Sequence, residues 1–477
     1  MSSQQFHADN AWFADGWHRD AGFEIDTGRY YPGAFLQVRS GVAADGAESL
    51  GRWVLPGMPN VHSHAFQRAM AGLAERRGDP ADSFWTWREV MYAFAGKIGP
   101  DDLRAIATQL YVEMLKAGYT HVCEFHYLHH QPDGKPYADP AAMSLALIEA
   151  AQETGIGLTL LPTLYMTGGF DGRALGERQR RFANDVDAYL RLLERLRLLE
   201  NAHLRVGVAL HSLRAVPEDA MRAVLEGIDG MGETRSSLPG SMMPIHMHIA
   251  EQIGEVQDSL AIRNARPIEW LLDHAPVDAR WCLVHATHID ASELGRLAAT
   301  RATVGLCPTT EANLGDGLFP LKDWLDADGI IGIGSDSHIS VSPVEELRWL
   351  EYGQRLVTRH RNISSSEEVP STGASLYASA LQGGANASGM PIGTFVGGNS
   401  ASPSVGNRAD LLVLDETSPL LAGRDTTNLI DTWLFAGNSN LVRDVMVNGE
   451  WVVRNFKHRD EARIASRYRA VIARLHA

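Results

Sequence analysis

Residues 54–72, VLPGMPNVHSHAFQRAMAG, decide how this chain is read. An apolar run passes a Pro-Gly pair and delivers His62 and His64, two residues apart. In a strand, alternation points both imidazoles to the same side. Two neutral imidazoles on one rigid element are half of a tetrahedral zinc shell, because Zn(II) favours nitrogen ligands and usually takes four. With 19 histidines in 477 residues some His-x-His pairs arise by chance, so the weight falls on the rest of the chain.

Outward from that stretch, residues 54–340 alternate between apolar strands and helices. The strand candidates are VLPGMPNVHSH (54–64), THVCEFHY (120–127), GLTLLPTLYM (157–166), LRVGVALHSL (204–213), PIHMHIAE (244–251), WCLVHATH (281–288), TVGLCPTT (303–310) and IIGIGSDS (330–337). Helical patterns fall at 101–117, 140–154, 177–199, 217–228, 253–274 and 291–299. Near-continuous apolar strands alternating with helices are what a parallel (β/α)8 barrel of the α/β class requires.

Before the barrel, GFEIDTGRY and GAFLQVRS read as strands of a small sheet. After it come a helix at 343–360, a Gly- and Ser-rich break at 397–407, and RADLLVLDE and VRDVMVNGEWVVRN, which read as strands that complete that sheet. An amphipathic helix at 461–476 ends the chain. The expected division is 1–55 and 396–477 for a small β-sandwich domain built from both chain ends, and 56–395 for the barrel.

Composition excludes several classes. A hydrophobic content of 45% with 21% charged residues is that of a globular protein, and no apolar run reaches the roughly 18 residues of a membrane span. The N-terminal residues show no basic region followed by an apolar one, so a cytoplasmic protein is expected. A net charge of −15 argues against nucleic-acid binding. An anionic substrate would therefore need locally placed cations. Cys123, Cys282 and Cys307 lie far apart inside apolar runs and read as small buried hydrophobes.

Polar residues gather at the C-terminal ends of the strands, where a barrel places its chemistry. The first strand ends at His62 and His64, the fifth carries His246 and His248 with Glu251 beyond, the sixth ends at His285 and His288, and the eighth at Asp336. His246 and His248 share a face, so alternation cannot choose between them. His248 is preferred because it lies closer to the rim and leaves Glu251 in the following loop, within reach of a metal-bound water. No lysine occurs between Lys135 and Lys322, so the carbamylated lysine that bridges two metals in many barrel hydrolases has no candidate on the middle strands. One metal is expected, with Glu124 an open alternative as a bridging carboxylate. Residues 65–97, with Trp85, Trp87 and Arg88, make a long first loop that reads as a wall of the site.

These segments resemble the amidohydrolase superfamily and, within it, the formimidoylglutamate deiminase family. The resemblance rests on PGMPNVHSHAFQRAMAG, EFHYLHH, ALHSLRAV, HIAEQ, CPTTEANLGDG and GSDSHISVSPVEELRWLEYGQRL, with RADLLVLD and VMVNGEWV in the small domain. Departures are SSLPGSMMP before the fifth strand and the Ser-rich break before Arg408, neither at a ligand position. The resemblance implies one Zn(II) per subunit on His62, His64, His248 and Asp336, with Asp336 also accepting a proton, Glu251 shuttling protons and His285 assisting the activated water. It assigns Gln67, Arg88, Tyr127, His211 and Arg214 to a small dicarboxylate amidine, whose deimination belongs to histidine degradation, and it favours a homodimer. Nitrogen and oxygen donors also accept Fe(II) or Mn(II). Two other readings share parts of this pattern. A nucleobase or imidazolone hydrolase would have the metal set but no use for two arginines, and a non-catalytic binding protein on the same barrel would show eroded ligands.

Overall fold

The computed structural model describes residues 2–28, 32–75, 84–231, 243–395 and 407–476, the side chains of 84–86 excepted. Two sheets organise these residues. The first, from both chain ends, contains β1 (Ser3–Phe13), β2 (Gly16–Asp26), β3 (Phe35–Arg39) and β4 (Glu48–Pro56). The second begins with β5 (Met58–Ser63) and continues through β6 (Tyr119–His126), β7 (Gly157–Leu164), β8 (Leu204–Val206), β9 (Val208–Ser212) and β10 (Ile245–Ile249). It ends with β11 (Trp281–His285), β12 (Thr303–Leu306) and β13 (Ile330–Ile333). β14 (Leu411–Leu414), β15 (Val442–Val447), β16 (Glu450–Arg454) and β17 (Lys457–His458) return the chain to the first sheet.

The second sheet runs β5-β6-β7-β9-β10-β11-β12-β13 with parallel pairing throughout, and β8 extends β7. A parallel bridge between Ser63 and Asp336 joins its two edges, so the sheet closes into the (β/α)8 barrel. Its strands are buried on both faces, which explains their near-continuous apolar sequences. The helix Thr372–Ser388 lies close against the closing edge; a Cβ on Gly383 would come within 1.9 Å of the Ile331 carbonyl oxygen, so only glycine permits that approach.

In the first sheet the order is β17-β16-β15-β14-β4-β1-β2-β3. Phe6, Phe13, Phe23, Phe35, Val54, Phe395, Leu411 and Val413 share a core inside the β-sandwich that it forms. β4 is the hinge of the architecture, pairing with β1 from one chain end and with β14 from the other.

Several expected elements divide more finely. The run 54–64 is two strands, with Leu55 and Pro56 in the small domain and Met58 onward in the barrel. Gly57 lies between them, where a Cβ would strike the Thr120 side chain at 2.2 Å. The long hairpin arm β1 had no counterpart in the sequence reading. The pattern at 253–274 breaks at Asn264, which adopts a left-handed conformation (φ +53) and separates Ile253–Arg263 from Pro267–His274. At 177–199, a 3-10 turn Glu177–Phe182 precedes the helix Val186–Arg197, which starts on the Asp185 cap. The boundary at 395/396, the break at 397–407 apart from Asn407, and SSLPGSMMP apart from its last residues lie outside the described residues.

The two units are locked by a buried ion pair. Arg408 donates to both oxygens of Asp410, to the Thr120 carbonyl (3.4 Å), and faces His121 Nδ1 (3.2 Å), while Asp410 also accepts from the Asn448 amide (2.9 Å). Removing one partner of such a pair leaves the other charge uncompensated away from water. We expect Arg408→Ala to lower unfolding stability by about 3–5 kcal/mol in a denaturant titration, with far less effect from an exposed control such as Arg222→Ala.

Candidate active site

The barrel closure builds the centre of the site. The Asp336 amide donates to the His62 carbonyl (3.0 Å), and the His64 amide donates to the Asp336 carbonyl (3.2 Å). These bonds hold the end of the last barrel strand against the end of the first, and Asp336 takes a left-handed backbone (φ +42) to turn its carboxylate inward. His62, His64 and His248 then point their Nε2 atoms at one point, with separations of 3.2 Å (62 to 64), 3.3 Å (64 to 248) and 3.0 Å (62 to 248). Asp336 Oδ1 stands 3.4 Å from both His62 Nε2 and His64 Nε2.

Those five spacings approach those of a metal shell. Four donors about 2.0–2.1 Å from one ion in a tetrahedron lie roughly 3.3–3.4 Å apart. The proton positions agree. His64 Nδ1 donates to the Phe125 carbonyl (2.8 Å) and His248 Nδ1 to the His211 carbonyl (3.0 Å), so their Nε2 lone pairs face each other across the centre. Burial holds all three imidazoles below their ordinary pKa, in the neutral form that binds a cation. Neutral nitrogens held this close with lone pairs opposed repel unless a positive ion lies between them. The residues present fit a single metal ion.

His246 occupies the same face of β10 one step deeper, where its Nε2 donates to the Ala387 carbonyl (2.8 Å). Glu124 does not bridge metals: its oxygens accept from the Ser63 hydroxyl (2.6 Å), the Ala65 amide (2.6 Å) and the Tyr111 hydroxyl (3.2 Å). Burial pushes that carboxyl up to about 8, and its role is to brace the end of β5. Asn60, Ser335, His338 and Ser63 form a further hydrogen-bonded chain across the closure, which the sequence reading did not anticipate.

Beside the donor centre, His285 ends β11 with a left-handed backbone (φ +70). Its Nε2 lies 4.0 Å from Glu251 Oε1 and 3.9 Å from Asp336 Oδ2. Burial alone would lower this imidazole; Glu251, Glu311 and Asp336 outweigh it and raise the group to about 10, a rise that a bound cation opposes. Burial raises the Glu251 carboxyl, which favours a protonated acid. His288 stays outside this group, its amide bonded to the Ala250 carbonyl (3.0 Å).

Gln67, Arg88, Tyr127, His211 and Arg214 all line the cavity that holds His64, His248, Glu251, His285 and Asp336. Gln67 donates to the Tyr127 hydroxyl (3.1 Å), and its own carbonyl oxygen is buried without a protein partner. Burial, then Arg214, lowers His211 well below its ordinary value and keeps it neutral. Burial disfavours charge on Arg214, but Glu255, Tyr165 and Glu251 outweigh it and keep the guanidinium positive. The expected wall from the first loop is the helix Phe84–Ala95, which brings Trp87, Arg88, Met91 and Tyr92 to the cavity. Trp85's side chain lies outside those described. Tyr165, at the end of the third strand candidate, completes the lining with Phe182 and Leu314, which no strand-end signal marked.

A closed α/β barrel with three imidazoles and an aspartate around one point, flanked by an acid and a further histidine, defines a metal-dependent hydrolase. The chain belongs to the amidohydrolase family, whose model matches residues 53–452. It is 52% identical over 470 residues to the formimidoylglutamate deiminase of Pseudomonas aeruginosa, covering 98% of each chain. It is 24% identical to a 5-methylthioadenosine/S-adenosylhomocysteine deaminase of Natronomonas pharaonis, over 89% of this chain and 86% of that one. Among solved structures, an amidohydrolase from Brucella melitensis superposes with a TM-score of 0.89 at 42% identity, covering 99% of this chain and all of the other.

Metal analysis of the purified protein should return about one divalent ion per chain, and His248→Ala should lower that to a small fraction, consistent with the loss of one of four donors. Two ions per chain with full retention in His248→Ala would contradict the geometry.

Proposed function

We propose that the chain hydrolyses N-formimino-L-glutamate to N-formyl-L-glutamate and ammonia, with one Zn(II) per subunit, in histidine degradation. The observation that carries this reading is the placement of Arg88 and Arg214 on the same cavity as His64, His248 and Asp336. A flat, mostly neutral nucleobase has no use for two guanidiniums, whereas a dicarboxylate does. The named activity of the Pseudomonas relative supports the same choice.

In this reading His62, His64, His248 and Asp336 hold the ion. When bound, Zn(II) supplies a Lewis acid that lowers the pKa of water from about 15.7 toward about 7. The chain's own residues do the rest. Asp336 Oδ2, turned away from the donor centre, accepts the proton of the attacking water as its oxygen bonds the formimino carbon. Glu251, whose carboxyl burial raises, delivers a proton to the departing nitrogen, because ammonia leaves poorly unless protonated. The same nitrogen takes its second proton as Asp336 gives up the one it accepted, the hydroxyl proton returns to Glu251, and the C–N bond breaks to release ammonia and leave a formyl group. His285, between Glu251 and Asp336, holds the attacking water and the developing charge in line.

Arg214 clamps one substrate carboxylate and Arg88 faces the other, with Gln67, Tyr127 and the neutral His211 giving directional hydrogen bonds. Trp87, Tyr92, Tyr165 and Phe182 wall the cavity and limit water around those charged bonds. Assembly as a homodimer and a cytoplasmic location belong to this proposal and rest on the family resemblance. No helix among the described residues is long and apolar enough to cross a membrane.

Steady-state ammonia release from N-formimino-L-glutamate tests the reading. Arg214→Met should lower kcat/KM by about 10²–10³-fold with metal content retained, the scale of a truncated buried charge pair. N-formiminoglycine, which lacks the second carboxylate, should be a poor substrate of the wild type. No turnover of formiminoglutamate, or equal turnover of both compounds, removes the substrate assignment.

A further inference from the structure

CPTTEANLGDG stands out in the sequence, yet apart from Leu314 in the cavity lining and Glu311 beside His285 its residues have no part in the scheme above. The segment forms the short helix Pro308–Leu314 directly after β12. Its Glu311 is 5% exposed, and its Oε1 accepts two hydrogen bonds, one from the Cys307 amide (2.9 Å) and one from His285 Nδ1 (3.1 Å). The mount is rigid. The Glu311 amide donates to the Cys307 carbonyl (2.9 Å), its carbonyl accepts from the Asp316 amide (2.9 Å), and Glu346 anchors the first turn through the Thr309 amide (2.9 Å) and hydroxyl (2.6 Å).

His285 needs such an anchor. It ends its strand in a left-handed conformation, followed by Ala286 in another (φ +49), and a ring on that backbone can pivot about its side-chain bonds. Only its Nδ1 side meets a fixed acceptor; the Nε2 side meets Glu251 and Asp336 at 4.0 Å and 3.9 Å. His285, Cys307 and Glu311 also lie close enough together to suggest a second metal site. Burial, however, raises the Cys307 thiol and disfavours the thiolate that would bind, and Glu311 Oε1 is already engaged by two donors.

We propose that Glu311 is the positioning residue of this site. By accepting the Nδ1 proton of His285 it fixes the ring plane and keeps that proton on Nδ1, so that Nε2 faces Glu251, Asp336 and the reacting carbon. This deepens the role given to His285 above and rests on that reading. Glu311 itself touches neither substrate nor metal.

The test uses the metal-loaded enzyme with Glu311→Gln and Glu311→Ala. Because both bonds end on one oxygen, a glutamine carbonyl can keep them, whereas alanine keeps neither. We expect Glu311→Ala to lower kcat about 100-fold with KM within about 3-fold and metal content unchanged, and Glu311→Gln to stay within about 10-fold of wild type. Ring nitrogen-15 spectra of His285, assigned by their loss in His285→Asn, should show a protonated, hydrogen-bonded Nδ1 in wild type and Glu311→Gln and the loss of that signature in Glu311→Ala. An unprotonated Nδ1 in the wild type, a glutamine variant as impaired as alanine, or an alanine variant with unchanged kcat would each overturn the proposal. Should Glu311→Ala fail to fold, the wild-type spectrum and the glutamine variant still decide it. Inactivity of the wild type toward formiminoglutamate would strike the substrate assignment and leave the spectroscopic result standing.

Discussion

The structure depends on the seam where the barrel closes. Ser63 pairs with Asp336, and the backbone bonds of His62, His64 and Asp336 cross the same seam. The contacts that shut the sheet are therefore made by the residues that supply three of the four donors. A barrel that closed in another register would separate Asp336 from the histidines. Glu124, Asn60, Ser335 and His338 reinforce the seam from within, and this explains why so many polar groups are buried beside it. A buried polar network is stable only when its members satisfy one another, which ties the correct closure to a satisfied network.

At the centre the same geometry assembles the donors. Neutral imidazoles are pressed together with their lone pairs converging, held there by the Phe125 and His211 carbonyls behind them. A cation held by these donors is bound only by the folded chain, so metal affinity and fold stability are linked. The left-handed backbones at Asp336 and His285 belong to the same pattern of strain concentrated where chemistry occurs.

Charge is distributed with comparable economy. The chain carries a net charge of −15, yet Arg88 and Arg214 line the cavity beside the donors. An enzyme for a dianion gains from such a local reversal, because the walls are largely aromatic and the bonds formed there are weakly screened. Arg181 supports this wall from outside the cavity. It is buried and donates to the carbonyls of Ala95, Ile98 and His130, tying the helix that carries Arg88 and Tyr92 to the loop after β6.

Much of this was legible in the residues themselves. Near-continuous apolar runs alternating with helical patterns signalled the barrel, and polar residues at the ends of four of those runs marked its rim, because strand geometry fixes which positions reach an edge. The preference for His248 over His246 came from its distance to that rim, and the structure places His248 in the cluster. Other features were not legible because they depend on contacts between segments far apart in the chain. Glu124 was an ambiguous carboxylate until Ser63, Ala65 and Tyr111 were seen to engage it. Glu311 and Phe182 carried no periodic signal, since their positions follow from a short helix and a 3-10 turn set by neighbours. Sequence alone determined which side chains could bind a cation and which end of the barrel they would occupy, for both follow from local chemistry and strand parity. Only the tertiary structure decided the distances between them, because the spacing of about three ångströms among the three imidazoles, and of Asp336 from His62 and His64, is set by sheet closure and not by any one segment.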